Sequence, residues 1–374
     1  MSDEQQKKTK KIGIITFHFV NNFGGALQAY ALQKVVSDEC DAQTYIIDYR
    51  NWFIRLTDRI RLFPISTNIK EIVSGIFTMG QRYGRRKKFG MFIIDNCNRT
   101  EKFSSSEQLK KKTPDMDMFI CGSDQIWNPI ITMGVTPAYF LDFVDESKKR
   151  IAYAPSFGTD GVAPKYQNKI SRYVNKLDCL SVREMSGQSF LKEATGREAE
   201  RLIDPTFLLD KEEWAKMGKN DRKYKYILLY IMQRDKEVYE YAKKIKEEMG
   251  LPIVEISRYG FQPGFVDEVL VDVGPAEFLG LFRDAAYVCT NSYHGLAYSI
   301  IFEKEFCLIP CKRFTARINN LLDLLKIDTL DNSQSERSVY SERFDAKFVK
   351  DTIRREQEKA KAFLRESTKI EEVE

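Results

Sequence analysis

The chain has 374 residues, of which 43% are hydrophobic, 30% charged and 12% aromatic, with a formal net charge of +5. That length is long for one hydrophobic core and predicts two domains, while the absence of a long unbroken apolar run excludes a bilayer-spanning helix. The seven cysteines form no CxxC pair and several sit in apolar runs, which points to reduced, buried thiols rather than a zinc site or a disulfide framework.

The opening MSDEQQKKTKK is polar and lacks the apolar stretch of a secretion signal. Residues 1–10 read as a disordered tail, and the chain as cytoplasmic. KIGIITF (11–17) predicts a strand, GALQAYALQKVVSDE (25–39) an amphipathic helix and AQTYIID (42–48) a second strand. Residues 50–112 then carry 15 Lys/Arg and 5 Asp/Glu, leaving the rest of the chain net negative. Inside this basic helical insertion, NWFIRLTDRIRLF (51–63) predicts a helix with Trp52, Phe53, Leu56, Ile60 and Phe63 near one face and Arg55, Arg59 and Arg61 off it. One reading packs that face on the domain. The other sets it, with the cluster Arg82, Arg85, Arg86, Lys87 and Lys88, against an anionic membrane or a diphosphate-linked substrate. No recognition motif accompanies the charge, so nucleic acid is a poor fit.

Beyond the insertion, DMFICGS (117–123), RIAYAPSF (150–157), DCLSVRE (178–184) and ERLIDP (200–205) predict strands, with helices near 164–176 and 185–195. The polar stretch GKNDRKYK (218–225) reads as a linker. A second series of strands and helices runs from YILLYIM (226–232) to the helix TARINNLLDLLK (315–326). Strands alternating with helices imply parallel, doubly wound sheets. The expected fold is α/β: two Rossmann-like domains, 11–218 and 225–340, facing a cleft in a glycosyltransferase-B-like arrangement. A charged helix at 343–366 is expected to pack back on the first domain.

In such sheets ligands bind beyond the carboxyl ends of strands, where helix N-termini point. His294, one of only two histidines, falls there in TNSYHGLAYSII (290–301), after the run YVCT. A histidine so placed can move a proton near neutral pH; equally it can cap the helix or sit hydrogen-bonded in the core. HFVNNFGGALQ (18–28) follows the first strand and offers His18, Asn22 and Gly24, and CGSDQIWNP (121–129) offers Asp124, Gln125 and Trp127. Polar groups beside an aromatic ring suit a sugar, although Asp124 also suits a helix cap, Trp127 the core, and His18 a structural hydrogen bond. Arg183 ends the SVRE strand, with an ordinary salt bridge as its plainer reading. No grouping here suggests a metal site.

ITFHFVNNFGGALQAYALQ, FICGSDQIWNP, IAYAPSFG, LSVREMSGQSFLKEATG, LIDPTFLLDKEEW and TNSYHGLAYSIIFEKEF occur in this order. Together they resemble the polysaccharide pyruvyl transferase family. The resemblance covers most of the chain, is weak before residue 286 in the second domain, and has no matching motif between about 50 and 100. It implies transfer of the enolpyruvyl group of phosphoenolpyruvate onto a sugar of a cell-surface polysaccharide or its lipid-linked precursor. The product is a pyruvate ketal, phosphate is released, and phosphoenolpyruvate is a co-substrate with no other cofactor. By resemblance, His294 is assigned proton transfer or phosphate contact and Arg183 donor binding. Ser292 and Gly295 frame a phosphate site, with Arg313 and Arg317 as further anion-binding candidates; His18, Asn22, Gly24, Asp124, Gln125 and Trp127 line the acceptor side. An undecaprenyl-diphosphate-linked acceptor would make weak peripheral membrane association through residues 51–88 useful. A nucleotide-sugar glycosyltransferase and a non-catalytic saccharide-binding protein are the alternatives. The first predicts turnover with a nucleotide sugar and none with phosphoenolpyruvate, the second saccharide binding without phosphate release.

Overall fold

The computed structural model describes residues 9–370 except 61–62, 64–68, 160, 233–234, 258–259, 261, 311–315, 328–329, 333–334 and 341–344. The tail expected at 1–10 falls mostly outside these residues, as do Arg61 and Arg313; Lys10 already belongs to the first strand.

The first half alternates strand and helix: β1 (Lys10–Ile15), α1 (Phe23–Cys40), β2 (Ala42–Tyr49), α2 (Trp52–Ile60), α3 (Ile69–Phe77), α4 (Met79–Asn96), β3 (Arg99–Phe103), α5 (Ser106–Lys111), β4 (Met118–Cys121), β5 (Lys149–Ala152), α6 (Pro164–Val174), β6 (Cys179–Val182), α7 (Met185–Thr195), β7 (Glu200–Arg201) and α8 (Lys211–Met217). Its strands form one parallel sheet in the order β3-β2-β1-β4-β5-β6-β7. The basic insertion is therefore shorter than its composition predicts. Residues 99–103 return to the sheet as its edge strand, because charge composition does not report strand pairing.

The second half runs β8 (Ile227–Tyr230), α9 (Lys236–Met249), β9 (Ile253–Ile256), β10 (Glu268–Leu270), α10 (Pro275–Asp284), β11 (Tyr287–Thr290), α11 (Tyr293–Ile301), β12 (Glu305–Leu308), α12 (Ala316–Leu325), β13 (Leu330–Asn332), β14 (Ser335–Tyr340) and α13 (Ala346–Ser367). Here the order is β10-β9-β8-β11-β12-β14-β13, with β14 antiparallel to both neighbours. Central strands such as Ile227–Tyr230 and Tyr287–Thr290 are buried throughout, as expected where helices cover both faces of a sheet.

One hydrophobic core joins the two halves. Phe23, at the start of α1, stacks on Phe278 of α10 at 4.2 Å between ring centroids and meets Tyr230 of β8 edge-on at 5.8 Å. From the insertion, the Arg85 guanidinium lies 4.7 Å from the Phe23 ring. Arg85 donates to the Asn21 side chain at 2.9 Å and to the Ser257 carbonyl at 3.3 Å, and Lys88 donates to the Asp272 carbonyl at 2.8 Å. Helix α4 thus ties the first half to the second. α13 lies against the first half: its Gln357 donates to the Phe207 carbonyl at 2.6 Å and its Lys359 to the Arg201 carbonyl at 2.7 Å.

The insertion departs from the first of its expected roles and narrows the second. Ile54 and Asp58 are the buried residues of α2, whereas Trp52, Leu56 and Ile60 are exposed, so the apolar stripe does not pack on the domain. Conversely, Arg82 and Arg85 are buried and Lys88 is ion-paired with Glu277 at 2.9 Å. That part of the 82–88 cluster is consumed within the protein and does not face an external anion.

Candidate active site

Two helix N-termini meet at the cleft. α1 begins behind Asn22, whose side chain caps it by accepting from the Gly25 N–H at 3.5 Å. α11 begins behind Ser292, which makes no side-chain capping hydrogen bond. A Cβ built on Gly24 would fall 1.9 Å from His294 Cε1, so the histidine ring of one half lies directly on the backbone of the other. Only a residue without a side chain permits that approach. Gly295 serves packing in the same way, since its Cβ would fall 2.0 Å from the Thr290 hydroxyl.

His294 is 7% exposed. Its Nε2 has no hydrogen-bond partner and stands 3.9 Å from Asp204 Oδ2. Burial draws its pKa down to about 4, against the opposing pull of Asp204 and Asp124. Asp204, in the IDPT turn after β7, is fully buried and touches Arg183 Nη1 at 2.7 Å. Burial alone would push its carboxyl up. Arg183, His294 and hydrogen bonds from Thr206 more than offset this and leave it below the ordinary carboxylate value. Arg183 also donates through Nη2 to Ser123, the residue before Asp124. Burial opposes its charge, but Asp204, Tyr293 and Asp124 hold its pKa above the usual arginine value.

Arg317, near the start of α12, completes the group. Its Nη1 lies 3.6 Å from Asp124 Oδ1 across the cleft, and its Nε is buried without a partner. The guanidinium groups of Arg183 and Arg317 stand 5.5 and 5.2 Å from the centroid of the Tyr293 ring. Next to Arg183, Glu184 is fully buried; Ser156 donates to it, and burial pushes its carboxyl above the ordinary value.

The structure therefore brings His294, Arg183, Arg317, Asp124, Gly24, Asn22, Ser292 and Gly295 to one place. It sets three other candidates apart. Trp127 is 1% exposed, stacks on Phe140 at 4.9 Å and donates from Nε1 to the Tyr139 carbonyl. It is a core residue, because the chain turns inward after Asp124 and buries the ring. Gln125 accepts from Asn128 at 2.7 Å and is packed against Gly158. His18 is 2% exposed, with Nδ1 at 3.1 Å from the Thr16 carbonyl and Nε2 at 3.0 Å from Asp48. Both nitrogens are committed inside the protein, which leaves neither for a substrate. Asp204 and Tyr293 are the residues that sequence reasoning missed. A carboxylate three residues past the end of β7, within the stretch ERLIDP (200–205) read as a strand, was the available signal for Asp204. Among the described residues no group of three or more His, Cys, Asp or Glu could hold a metal, and no helix is long and apolar enough to cross a membrane.

Among solved structures the chain is similar to an alpha-glucosyltransferase in complex with UDP, at 8% identity and a TM-score of 0.47, covering 95% of each chain. It is similar to UDP-GlcNAc 2-epimerase from Methanocaldococcus jannaschii at 12% identity and a TM-score of 0.46, covering 92% of this chain and 98% of that one. For the UDP-GlcNAc 2-epimerase of Neisseria meningitidis the values are 9% and 0.45, with 96% and 94% covered. No curated protein sequence matches the chain. The sequence profile described as polysaccharide pyruvyl transferase matches residues 22–313, a span that runs from the Asn22 cap through β1's neighbouring strands to beyond Ser292, His294 and β12. The chain belongs to the polysaccharide pyruvyl transferase family.

Proposed function

We propose that the protein transfers the enolpyruvyl group of phosphoenolpyruvate to a sugar of a cell-surface polysaccharide or its lipid-linked precursor, in the cytoplasm, forming a pyruvate ketal and releasing phosphate. The observation that carries this reading is a set of buried donors without partners. His294 Nε2, Arg183 Nε and Arg317 Nε are all buried and unsatisfied, and all belong to the cluster around Tyr293 at the N-terminus of α11. Leaving such groups unpaired is costly, and an anion at the helix N-terminus would satisfy them. Phosphoenolpyruvate supplies a phosphate and a carboxylate.

The chemistry follows from what such a site can do. Protonation of the methylene carbon turns it into a methyl group and leaves an oxocarbenium-like C2. One sugar hydroxyl attacks C2, the C2–O bond to phosphate breaks, and a second hydroxyl closes the ketal. Of the two hydroxyl protons lost, one balances the methyl group and the other leaves with phosphate. With its pKa near 4, His294 is neutral in the empty site. A bound phosphate beside it raises that value, which lets the ring take a hydroxyl proton and hand it on. Arg317 is the freer donor-binding arginine, since the fork of Arg183 is already engaged with Asp204 and Ser123.

The test is phosphate release from phosphoenolpyruvate with a panel of free and lipid-linked saccharides, followed by mass spectrometry. A saccharide product carrying a pyruvate ketal supports the assignment. Turnover with nucleotide sugars alone, or saccharide binding with no phosphate released from any acceptor in the panel, overturns it.

A further inference from the structure

Among the described residues, 18 large hydrophobic side chains are exposed, and 11 of them lie between Trp52 and Ile94. They are ordered along the insertion's helices. On α2, Trp52, Leu56 and Ile60 recur every four residues on the face opposite the buried Asp58. On α3, Ile76 and Phe77 are 56% and 85% exposed. On α4, Tyr83 is 68% exposed, and α2 and α4 are held together by Asp58 and Arg86 at 3.7 Å. A concentration of this kind on one segment marks an interaction surface rather than ordinary scatter.

The charge on the segment selects the occupant. Residues 51–96 contain nine Lys/Arg and three Asp/Glu. Arg59 and Lys87 are exposed and make no ion pair among the described residues. A second copy of the chain would set this positive surface against its equal. An anionic lipid surface takes both features, since apolar side chains enter the interface while cations meet headgroups.

We propose that helices α2, α3 and the first half of α4 form a peripheral docking surface for anionic lipid bilayers, with Trp52, Ile76 and Phe77 entering the interface and Arg59 and Lys87 at the headgroups. This differs from docking through the whole 82–88 cluster, whose Arg82, Arg85 and Lys88 are engaged within the protein. It stands independently of the transfer reaction.

The protein reports its own docking. Of its three tryptophans, Trp127 and Trp214 are buried at 1% and 0% exposure and Trp52 is 61% exposed, so a change in emission on vesicle addition reads α2. The full chain is titrated with phosphatidylcholine vesicles with and without phosphatidylglycerol, at low salt and at about 1 M salt, where screening falls to about 3 Å. Expected are a blue shift and co-sedimentation with the anionic vesicles at low salt, both lost at high salt. Arg59→Glu with Lys87→Glu weakens binding by at least about 5-fold, the contribution of one basic residue near the surface. Ile76→Ser with Phe77→Ser, exposed positions whose replacement leaves thermal unfolding unchanged, abolishes it. The proposal is overturned if the wild type stays in the supernatant at low salt or if the serine variant binds like wild type. It is also overturned if lipid-free protein is a dimer that the serine substitutions convert to a monomer, since the face then belongs to a second copy.

Discussion

His294 is neutral in the unliganded site because burial holds its pKa near 4, and two consequences can be measured. Given its proposed role as proton carrier, replacing it with alanine should lower single-turnover phosphate release on the order of 10²–10⁴-fold; near wild-type turnover at saturating substrates would remove it from that role. The second consequence concerns stability. The folded state binds this proton less readily than the unfolded state, whose histidine titrates near 6.5. The histidine's contribution is therefore complete above pH 6.5 and is lost as pH falls from 6.5 to about 4, by roughly 3 kcal/mol in all. Urea unfolding at pH 7.5 and 4.5 should show a smaller acid loss in His294→Gln than in wild type. An equal loss would place the acid sensitivity on other groups. Arg183 and Asp204 form a buried pair, so Arg183→Ala leaves an unpaired carboxylate and should destabilise by roughly 3–5 kcal/mol, whereas Arg183→Lys keeps a charge beside Asp204 and should cost clearly less. Equal unfolding midpoints for the two variants would contradict that account.

At the scale of elements, α1 and α11 act as a matched pair whose N-termini abut. Gly24→Ala places a Cβ where the His294 ring now lies. Overpacking of this kind costs roughly 1–3 kcal/mol, and the displaced ring should lower transfer as much as direct removal of the imidazole. Normal activity in this variant would mean that the two ends separate freely. How much of this was legible depended on the signal. Strand–helix alternation placed β1, α1, β11 and α11 from apolar runs, and the position of His294 at a strand end followed from it. Asp204 was not legible as a site residue, because its partners Arg183 and His294 are 21 and 90 positions away and nothing local marks the encounter. Trp127 and His18 show the reverse error. Their residue types suit a sugar site, and only packing reveals that one ring is core and the other is tied to Asp48. The β13–β14 hairpin was missed because parallel alternation gives no cue for an antiparallel edge.

At the scale of the molecule, the two sheets are held by the Phe23–Phe278 stack and by α4. Arg85 is the strap's central residue, with hydrogen bonds to Asn21 on one side and Ser257 on the other. Arg85→Ala should cost roughly 1.5–3 kcal/mol for each such charge-assisted contact, and should raise hydrogen exchange at the N-terminal amides of α1 and α11 together. Unchanged protection at both would assign closure to the aromatic stack alone. The charge surplus of the insertion was readable from composition, but its division between inward ties and outward cations was not, since both use the same residue types.

The Asp124–Arg317 and Asp204–His294 approaches each join one half of the chain to the other. Neither half alone carries the complete candidate site. Exchange of halves between relatives of different acceptor preference therefore has a compatibility rule: the graft must preserve the acid on one side and the base on the other as couples. On the proposed mechanism, a recombinant that keeps both couples should still release phosphate from phosphoenolpyruvate. One that breaks either couple should lose that release even when each parent shows it, and equal phosphate release by both kinds of recombinant would contradict the rule.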